Sequence, residues 1–444
     1  MSDADADAPP PTSAARGTDP AAGQITDHVT CLGCGCGCDD ISVVVRAGKI
    51  TEARNACRIG AQWFGDGVVP NRVRVGGQDA TIERAIEAAA DTIGKADGVL
   101  VYVADDVSCE AQRAAIAIAD MLHGTVDSAT SSTAAGGILA AQRRGRAAAT
   151  LGEIRNRADV ILFWGVDLAD RYPRFTKRYA PDPEGLFVPQ GRIGRAVIVV
   201  DVGAENGPSD ADFRIRVSAN EEVAAQALTR AAILGRAAPN AAPDSLDART
   251  AALASKLMAG KYVALITDGE PVAGRDPSRA EGMLAIAESL NASTRCALIT
   301  LRAGGNRVGV DAVLTWQTGY PMAVDFARGY PRYVPRSEAT ADRIADRKVS
   351  AALVVGSSKS VPDAVREYLA DVRCVVVGPH ASESTLQTAV AIDTGVAGIH
   401  EGGMAFRTDD IPLRLRPALS GARSARETLL ALAATLAGRP SGPA

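Results

Sequence analysis

Five of the eight cysteines of this chain lie between positions 31 and 57, and their spacing suits a particular chemistry. Cys31, Cys34, Cys38 and Cys57 follow the pattern C-x2-C-x3-C-x18-C, and four thiolates are the number that a [4Fe–4S] cluster takes. The glycines between them allow a tight turn without clashes between side chains. We therefore predict an iron–sulfur-type site at these four positions, with Cys36 as a surplus thiol in the cysteine loop (residues 31–38).

Two other interpretations of the cysteine loop stay open. A structural zinc site also takes four cysteine or histidine ligands, but it usually shows two C-x2-C pairs, whereas this chain has one. Alternatively, the thiols carry no metal at all. The single pair and the isolated Cys57 favour the iron–sulfur arrangement.

Cys109 follows an apolar run at 99–103 and comes at the start of a predicted helix. The partial positive charge and the free N–H groups of a helix N-terminus favour the thiolate form of cysteine. Such a thiolate ligates soft metals or acts as a nucleophile. The alternative is a small buried side chain that packs in the core.

The elements that would position these residues begin near residue 67, where apolar runs alternate with alanine-rich helical stretches. The runs are continuous, which is typical of strands buried on both faces of a parallel sheet. Strands are predicted at 99–103, 160–164, 197–200, 262–266, 297–301, 351–355 and 374–377, and helices at 82–94, 110–122, 221–234 and 280–291. The pattern predicts an α/β fold.

Three polar or flexible residues lie at the carboxyl ends of two predicted strands, where doubly wound sheets bind their ligands. Gly165 and Asp167 follow the run at 160–164, and Asp201 follows the run at 197–200. They are candidates for binding a cofactor, and the alternative is an ordinary turn at a strand end.

Composition excludes several classes of function. The net charge is −4 and no basic block is dense, so we expect no nucleic-acid partner. The first 25 residues are rich in Ala, Asp and Pro and lack signal-peptide features, which predicts a disordered tail. No apolar stretch is long enough to cross a bilayer, which predicts a cytoplasmic protein without a membrane partner. In the cytoplasm, clustered cysteines bind metal more often than they form disulfides.

Several motifs together resemble the B subunit of formylmethanofuran dehydrogenase, a member of the molybdenum/tungsten bis-pterin oxidoreductases. The resemblance runs from about residue 28 to residue 415 and is carried by the cysteine loop with Asp39-Asp40-Ile41, by Asn55-Ala56-Cys57-Arg58, by Ser108-Cys109-Glu110-Ala111, and by the segments 151–159, 315–333 and 401–407. It implies a small cysteine-rich β domain and two Rossmann-like parallel-sheet lobes, without the C-terminal barrel of related enzymes.

With this fold in mind, we predict five parts of the chain. They are a tail at 1–25, an iron–sulfur-type domain at 26–66, a discontinuous lobe at 67–125 and 260–420, a second lobe at 126–259, and a C-terminal helix and tail at 421–444.

The resemblance also implies cofactors and roles. A [4Fe–4S] cluster would lie on Cys31, Cys34, Cys38 and Cys57, and Cys109 would ligate a tungsten or molybdenum bis-pterin centre. The pterin diphosphates would lie near Gly165, Asp167 and Asp201. In that family the metal interconverts carbon dioxide and formate.

The sequence departs from the family where the metal would lie. Residues 128–137 contain no histidine or cysteine, whereas the family usually has a Cys-His-Gly-Pro-like turn there. A relative without redox activity fits this departure better: the B subunit of the formyltransferase/hydrolase complex of aerobic methylotrophic bacteria, which is similar to this family. That complex moves a formyl group from tetrahydromethanopterin to a furan-amine carrier and hydrolyses it to formate.

This similarity implies three partners: a formyltransferase subunit, a zinc amidohydrolase-like subunit and a further subunit. We predict a non-catalytic scaffold in which the tungsten or molybdenum bis-pterin is absent. The alternatives are an active dehydrogenase subunit and an electron-transfer subunit that keeps only the cluster.

Overall fold

The computed structural model of this chain describes residues 23–270, 275–335 and 349–439. Residues 1–22 of the predicted N-terminal tail and residues 440–444 of the predicted C-terminal tail lie outside the described residues. In the described ranges, no helix combines the length and the apolar character that crossing a membrane requires.

Strands and helices alternate over most of the chain. The strands are β1 (Gln24–Val29), β2 (Ile41–Arg46), β3 (Lys49–Arg54), β4 (Val73–Val75), β5 (Gln78–Asp79), β6 (Val99–Val103), β7 (Thr125–Ser128), β8 (Val160–Trp164), β9 (Ala196–Val202), β10 (Phe213–Val217), β11 (Tyr262–Asp268), β12 (Arg295–Leu301), β13 (Val324–Asp325), β14 (Arg332–Tyr333), β15 (Ala351–Val355), β16 (Arg373–Gly378), β17 (Thr388–Asp393), β18 (Gly403–Phe406) and β19 (Pro412–Leu415).

The α-helices of the described residues are α1 (Arg58–Phe64), α2 (Ile82–Gly94), α3 (Cys109–Met121), α4 (Thr130–Thr133), α5 (Ala135–Arg144), α6 (Leu151–Arg157), α7 (Leu168–Arg171), α8 (Phe175–Arg178), α9 (Glu222–Ile233), α10 (Leu246–Met258), α11 (Arg279–Leu290), α12 (Arg307–Thr318), α13 (Asp363–Leu369) and α14 (Ala425–Ala437). All of the strands and helices predicted above occur, and their ends differ from the prediction by at most two residues.

A small antiparallel sheet carries the N-terminal segment. Strand β2 pairs with β1 on one side and with β3 on the other. Ala47 and Gly48 form the turn between β2 and β3 with positive φ angles. The cysteine loop connects β1 to β2, and Cys57 directly precedes α1. This sheet and α1 therefore position all five clustered cysteines.

Strands β8 to β12 form a parallel sheet in the order β10-β9-β8-β11-β12. Every residue of β8 is buried, as expected of a central strand covered on both faces. The order reverses between β8 and β11, which opens a crevice at their carboxyl ends. The predicted division of the chain placed β11 and β12 in the other lobe, but they pair with this sheet. Continuous apolar strands look alike in sequence, whichever sheet they join.

The larger sheet has the order β14-β13-β7-β6-β15-β16-β17-β4-β5. Its central strands from β7 to β17 run parallel, whereas β13 and β4 pair antiparallel with β7 and β17. The order reverses between β6 and β15, so a second crevice opens at their carboxyl ends. The sequence does not predict the short antiparallel edge strands, because two or three residues are too few to show an apolar period.

Apolar side chains cover both faces of both large sheets. One face of the nine-stranded sheet packs against α2, α3, α12 and α14, and the other forms a separate cluster. One face of the five-stranded sheet packs against α9, α10 and α11. Its other face packs against the small sheet in a cluster that contains Cys31, Cys36 and Cys38. Hydrophobic contact thereby holds the cysteine loop against the five-stranded sheet.

Candidate functional site

The fold brings the clustered cysteines together at the start of α1. The N–H of Cys31 donates to the carbonyl of Cys38 at 2.8 Å and closes the cysteine loop. Gly60 leaves room for sulfur, since a Cβ at this position would lie 3.2 Å from Cys31 Sγ and 3.9 Å from Cys57 Sγ. Two of the predicted ligand sulfurs thus face the same glycine.

Burial dominates the electrostatics of these thiols. It raises the pKa of Cys31, and repulsion from the thiols of Cys38, Cys34 and Cys57 adds to the rise. The other three predicted ligands therefore lie close enough to Cys31 to influence its pKa. The surplus thiol of Cys36 shares a hydrogen bond with Cys34, which lowers the pKa of Cys34 and raises that of Cys36.

Two arginines and two aspartates surround Cys38. Arg174 donates its two Nη groups to Asp40 at 2.7 and 2.6 Å, and Arg178 pairs with both Asp39 and Asp40. Burial raises the pKa of Cys38 to about 11, and the two guanidinium groups partly offset the rise. These ion pairs clamp the cysteine loop to the segment around α8. Sequence reasoning missed the arginines, because Arg174 lies 134 residues beyond its partner.

The donor set is of the kind that soft metals select, since thiolates bind both iron–sulfur clusters and zinc. The N–H of Gly33 donates to Cys31 Sγ at 3.4 Å, a contact of the type that tunes cluster sulfurs. Within the described residues, no group of three or more His, Cys, Asp or Glu side chains is arranged to hold a metal ion. The chemistry of the four thiols fits a metal centre, and its occupant stays a prediction.

Cys109 begins α3 just beyond the carboxyl end of β6, but its surroundings are those of a core residue. Its side chain is 1% exposed and belongs to the apolar cluster of the nine-stranded sheet. Burial raises the pKa of Cys109 to about 12, which disfavours the thiolate at neutral pH. Asn306 Nδ2 donates to Cys109 Sγ at 3.4 Å and to the carbonyl of Val107 at 3.1 Å. Its Oδ1 accepts the N–H of Phe406, so Asn306 ties Cys109 to strand β18.

A cavity of about 940 Å³ lies at the carboxyl end of the five-stranded sheet. Its walls include residues 131–138, Thr267 and Gly269 around the end of β11, and Trp316 of α12. The described residues that line it include neither Cys109 nor any other cysteine or histidine. The segment that lacks the family's Cys-His-Gly-Pro-like turn is therefore a wall of this cavity.

The three residues predicted to bind a cofactor make bonds within the protein. Gly165 has a φ of 53°, its carbonyl accepts Arg275 Nη1 at 2.9 Å, and a Cβ would lie 2.5 Å from Arg275 Nη2. The carboxylate of Asp167 caps the N-terminus of α7. Asp201 pairs with Arg214 at 2.7 Å. All three lie at strand ends as predicted, and their role in cofactor binding stays a prediction.

Paired charges connect the two large sheets. Arg307 joins Asp105, which follows β6, to Glu270, which follows β11, at 2.7 and 3.1 Å. Arg302, which follows β12, joins Glu270 at 3.4 Å to Asp311 at 3.0 Å. Sequence reasoning missed this network because its members come from three strand ends and from α12, and Asp105 lies far from the others in the chain.

Comparisons with known proteins identify relatives over most of the chain, although no family model matches the sequence. The B subunit of tungsten-containing formylmethanofuran dehydrogenase 2 from Methanocaldococcus jannaschii is 28% identical over 408 residues, covering 88% of this chain and 93% of the relative. The B subunit of the same name from Methanococcus maripaludis is 29% identical over 406 residues, covering 88% and 94%. The B subunit of the formyltransferase/hydrolase complex Fhc from Methylorubrum extorquens is 26% identical over 339 residues, covering 74% and 86%.

One solved structure shares the fold. It is the crystal structure of the formyltransferase/hydrolase complex FhcABCD from Methylorubrum extorquens in complex with methylofuran, and the match has a TM-score of 0.68. The match covers 82% of this chain and 98% of the matched chain at 23% identity, which supports the α/β architecture. Together with the sequence relatives, it confirms the resemblance predicted from the cysteine loop and its companion motifs. Over most of its length this chain is similar to the B subunits of formylmethanofuran dehydrogenase and to the B subunit of an Fhc complex.

Proposed function

We propose that this chain is the B subunit of a formyltransferase/hydrolase complex and acts there as a non-catalytic scaffold. A sequence relative and the structural neighbour carry the name of such a complex. In this proposal, the formyltransferase and zinc amidohydrolase-like subunits perform the chemistry that converts a formyl group to formate. This chain, with a further subunit, holds the assembly together.

One observation carries the scaffold proposal. The wall of the cavity formed by residues 131–138 offers no thiol or imidazole, and Cys109 is buried outside the cavity with its thiol bonded to Asn306. A side chain that ligates a pterin-bound metal has to face the volume that holds the pterin, and the thiol of Cys109 does not face this cavity. The residues predicted to hold a pterin-bound metal therefore do not fit that group, and we route no reaction step through it.

Descent from a bis-pterin oxidoreductase would account for the architecture. In our proposal the two large sheets are the Rossmann-like lobes of a bis-pterin oxidoreductase, and the small sheet with α1 is its iron–sulfur-type domain. The two crevices at reversals of strand order support this assignment. If the cofactor was lost, protein side chains would occupy the space between the sheets, and the ion-paired side chains of Arg302 and Arg307 are examples.

A second candidate function is an active tungsten or molybdenum formylmethanofuran dehydrogenase subunit. The matches to two relatives named as tungsten-containing cover 88% of this chain, whereas the match to the Fhc relative covers 74%. The four cysteines predicted to hold a cluster are also present, and the sulfurs of Cys31 and Cys57 lie near Gly60 of α1. On this alternative, a [4Fe–4S] cluster bound there would supply electron transfer to the site where carbon dioxide and formate interconvert.

Replacing Cys109 by alanine separates the two functions. For a scaffold we expect the purified complex to release formate from the formylated carrier at an unchanged rate, because the thiol only packs in the core. The measurement is the rate of formate release, alongside formate-dependent reduction of a viologen dye. Cys296→Ala is the matched control, since this cysteine is also buried and has no proposed role. Viologen reduction in the wild-type complex that disappears only in Cys109→Ala would support the dehydrogenase instead.

A further inference from the structure

Tyr179, just beyond α8, contacts the cysteine loop and two arginines. Its hydroxyl donates to the carbonyl of Cys36 at 2.9 Å and accepts the Nε–H of Arg178 at 3.0 Å. The guanidinium groups of Arg178 and Arg407 lie 5.5 and 5.4 Å from the centre of its ring. The ring is 5% exposed, so these cation–π contacts are largely shielded from water.

The two arginines are themselves held in place. Arg178 pairs with Asp39 and Asp40 beside Cys38. Arg407 donates to Asp409 at 2.6 and 2.8 Å, and the carboxylate of Asp409 also accepts the N–H of Leu151 at 2.6 Å. The ring of Tyr179 is therefore held by arginines from two separate parts of the chain, Arg178 and Arg407.

The cysteine loop has few other attachments in its middle. Between Cys34 and Cys38, the described main chain is tethered by the carbonyl of Gly35, which accepts the N–H of Thr408 at 3.1 Å, and by a turn from Gly37 to Cys34. The hydroxyl of Tyr179 is the side-chain donor that reaches the carbonyl of Cys36. Loss of this bond would remove one of the few tethers of the segment that carries the thiols of Cys34, Cys36 and Cys38.

We infer that Tyr179 is a positioning residue for the thiols of the cysteine loop. Its hydroxyl holds the main chain at Cys36, and the flanking arginines hold its ring. The inference rests on the proposed role of the four cysteines as a metal-binding set, because a metal-binding set needs its thiols held in a fixed arrangement. It adds a function to a residue outside the cysteine motif.

The test is Tyr179→Phe in the full-length chain, freed of metal by a chelator under reducing, anaerobic conditions. The rate at which N-ethylmaleimide modifies each cysteine is followed by mass spectrometry of peptides. We expect modification of Cys36 and Cys38 to accelerate about tenfold, which is the effect of removing one hydrogen bond that opposes local opening. Cys296 and Cys374 are buried in the strands of the two large sheets and should react at unchanged rates.

Tyr172→Phe is the matched control, since its hydroxyl donates to Asp268 at 3.2 Å and not to the loop. It should leave Cys36 and Cys38 at their wild-type rates. The inference fails if Tyr179→Phe leaves those two rates unchanged, or if Cys296 and Cys374 accelerate equally, which would indicate general destabilisation. Either failure is separate from the scaffold proposal, which depends on tungsten and molybdenum and not on loop opening.

Discussion

Replacing Arg275 by alanine is expected to lower the free energy of unfolding by about 3–5 kcal/mol, the usual cost of breaking a buried ion pair from one side. Arg275 and Glu222 are 1% and 0% exposed, and they meet through two bonds of 2.7 and 2.5 Å. Without the guanidinium, Glu222 retains the indole N–H of Trp164 at 3.0 Å, which carries no full charge. A buried carboxylate would then lack its counter-ion. Urea unfolding followed by circular dichroism measures the change.

Arg58→Ala is the control for this experiment. Arg58 also pairs with a carboxylate, that of Asp170 at 2.7 Å, but the two side chains are 59% and 77% exposed. Exposed pairs contribute about 0–1 kcal/mol, so this variant should unfold close to the wild type. Equal losses in both variants would contradict the account. The result also bears on Gly165, whose missing Cβ makes room for the Arg275 guanidinium.

Replacing Arg302 by alanine is expected to cost a similar amount, about 3–5 kcal/mol at pH 8, because the buried carboxylate of Glu270 and the largely buried carboxylate of Asp311 lose a shared cation. The guanidinium of Arg302 contacts both Glu270 and Asp311. In the variant, Glu270 keeps Arg307 at 3.1 Å, whereas Asp311 keeps the uncharged hydroxyl of Thr130 at 2.6 Å. Urea unfolding of the variant, followed by circular dichroism, measures the change in the free energy of unfolding.

The loss in Arg302→Ala should depend on pH in a defined direction. Burial raises the pKa of Asp311 in the folded protein, and Arg302 opposes that rise. Without Arg302 the pKa rises further, so the folded state binds a proton more tightly than the unfolded state. Its stability therefore increases as pH falls, and the deficit should be smaller at pH 5 than at pH 8. A deficit that is equal at both values would contradict this assignment. Arg146→Ala, in a pair at the surface, is the control.

Local patterns were sufficient to predict most of the fold. The apolar run at 160–164 is strand β8, and the periodic segment at 82–94 is α2, both with the predicted bounds. The gathering of the cysteines was predictable for the same reason, because four of the five lie in one short loop. Patterns of this kind depend only on neighbours in sequence.

The remaining features depend on partners that are distant in the chain. The pairs Arg174–Asp40 and Arg275–Glu222 join residues 134 and 53 positions apart, so no local pattern in the sequence predicts them. The burial of Cys109 arises because Asn306 and strand β18 close over it. The helix N-terminus left two roles open for Cys109, a reactive thiol or a buried packing residue; the structure buries its side chain, and its role as a ligand stays a prediction.

Elemental analysis of the anaerobically purified complex, by plasma mass spectrometry for tungsten, molybdenum, iron and zinc, tests the scaffold proposal most directly. The proposal predicts zinc from the amidohydrolase-like subunit and no tungsten or molybdenum. The iron content independently reports whether the cysteine loop and Cys57 hold a cluster. Tungsten or molybdenum at about one per chain, with about four irons, would contradict the proposal and make this chain a redox subunit.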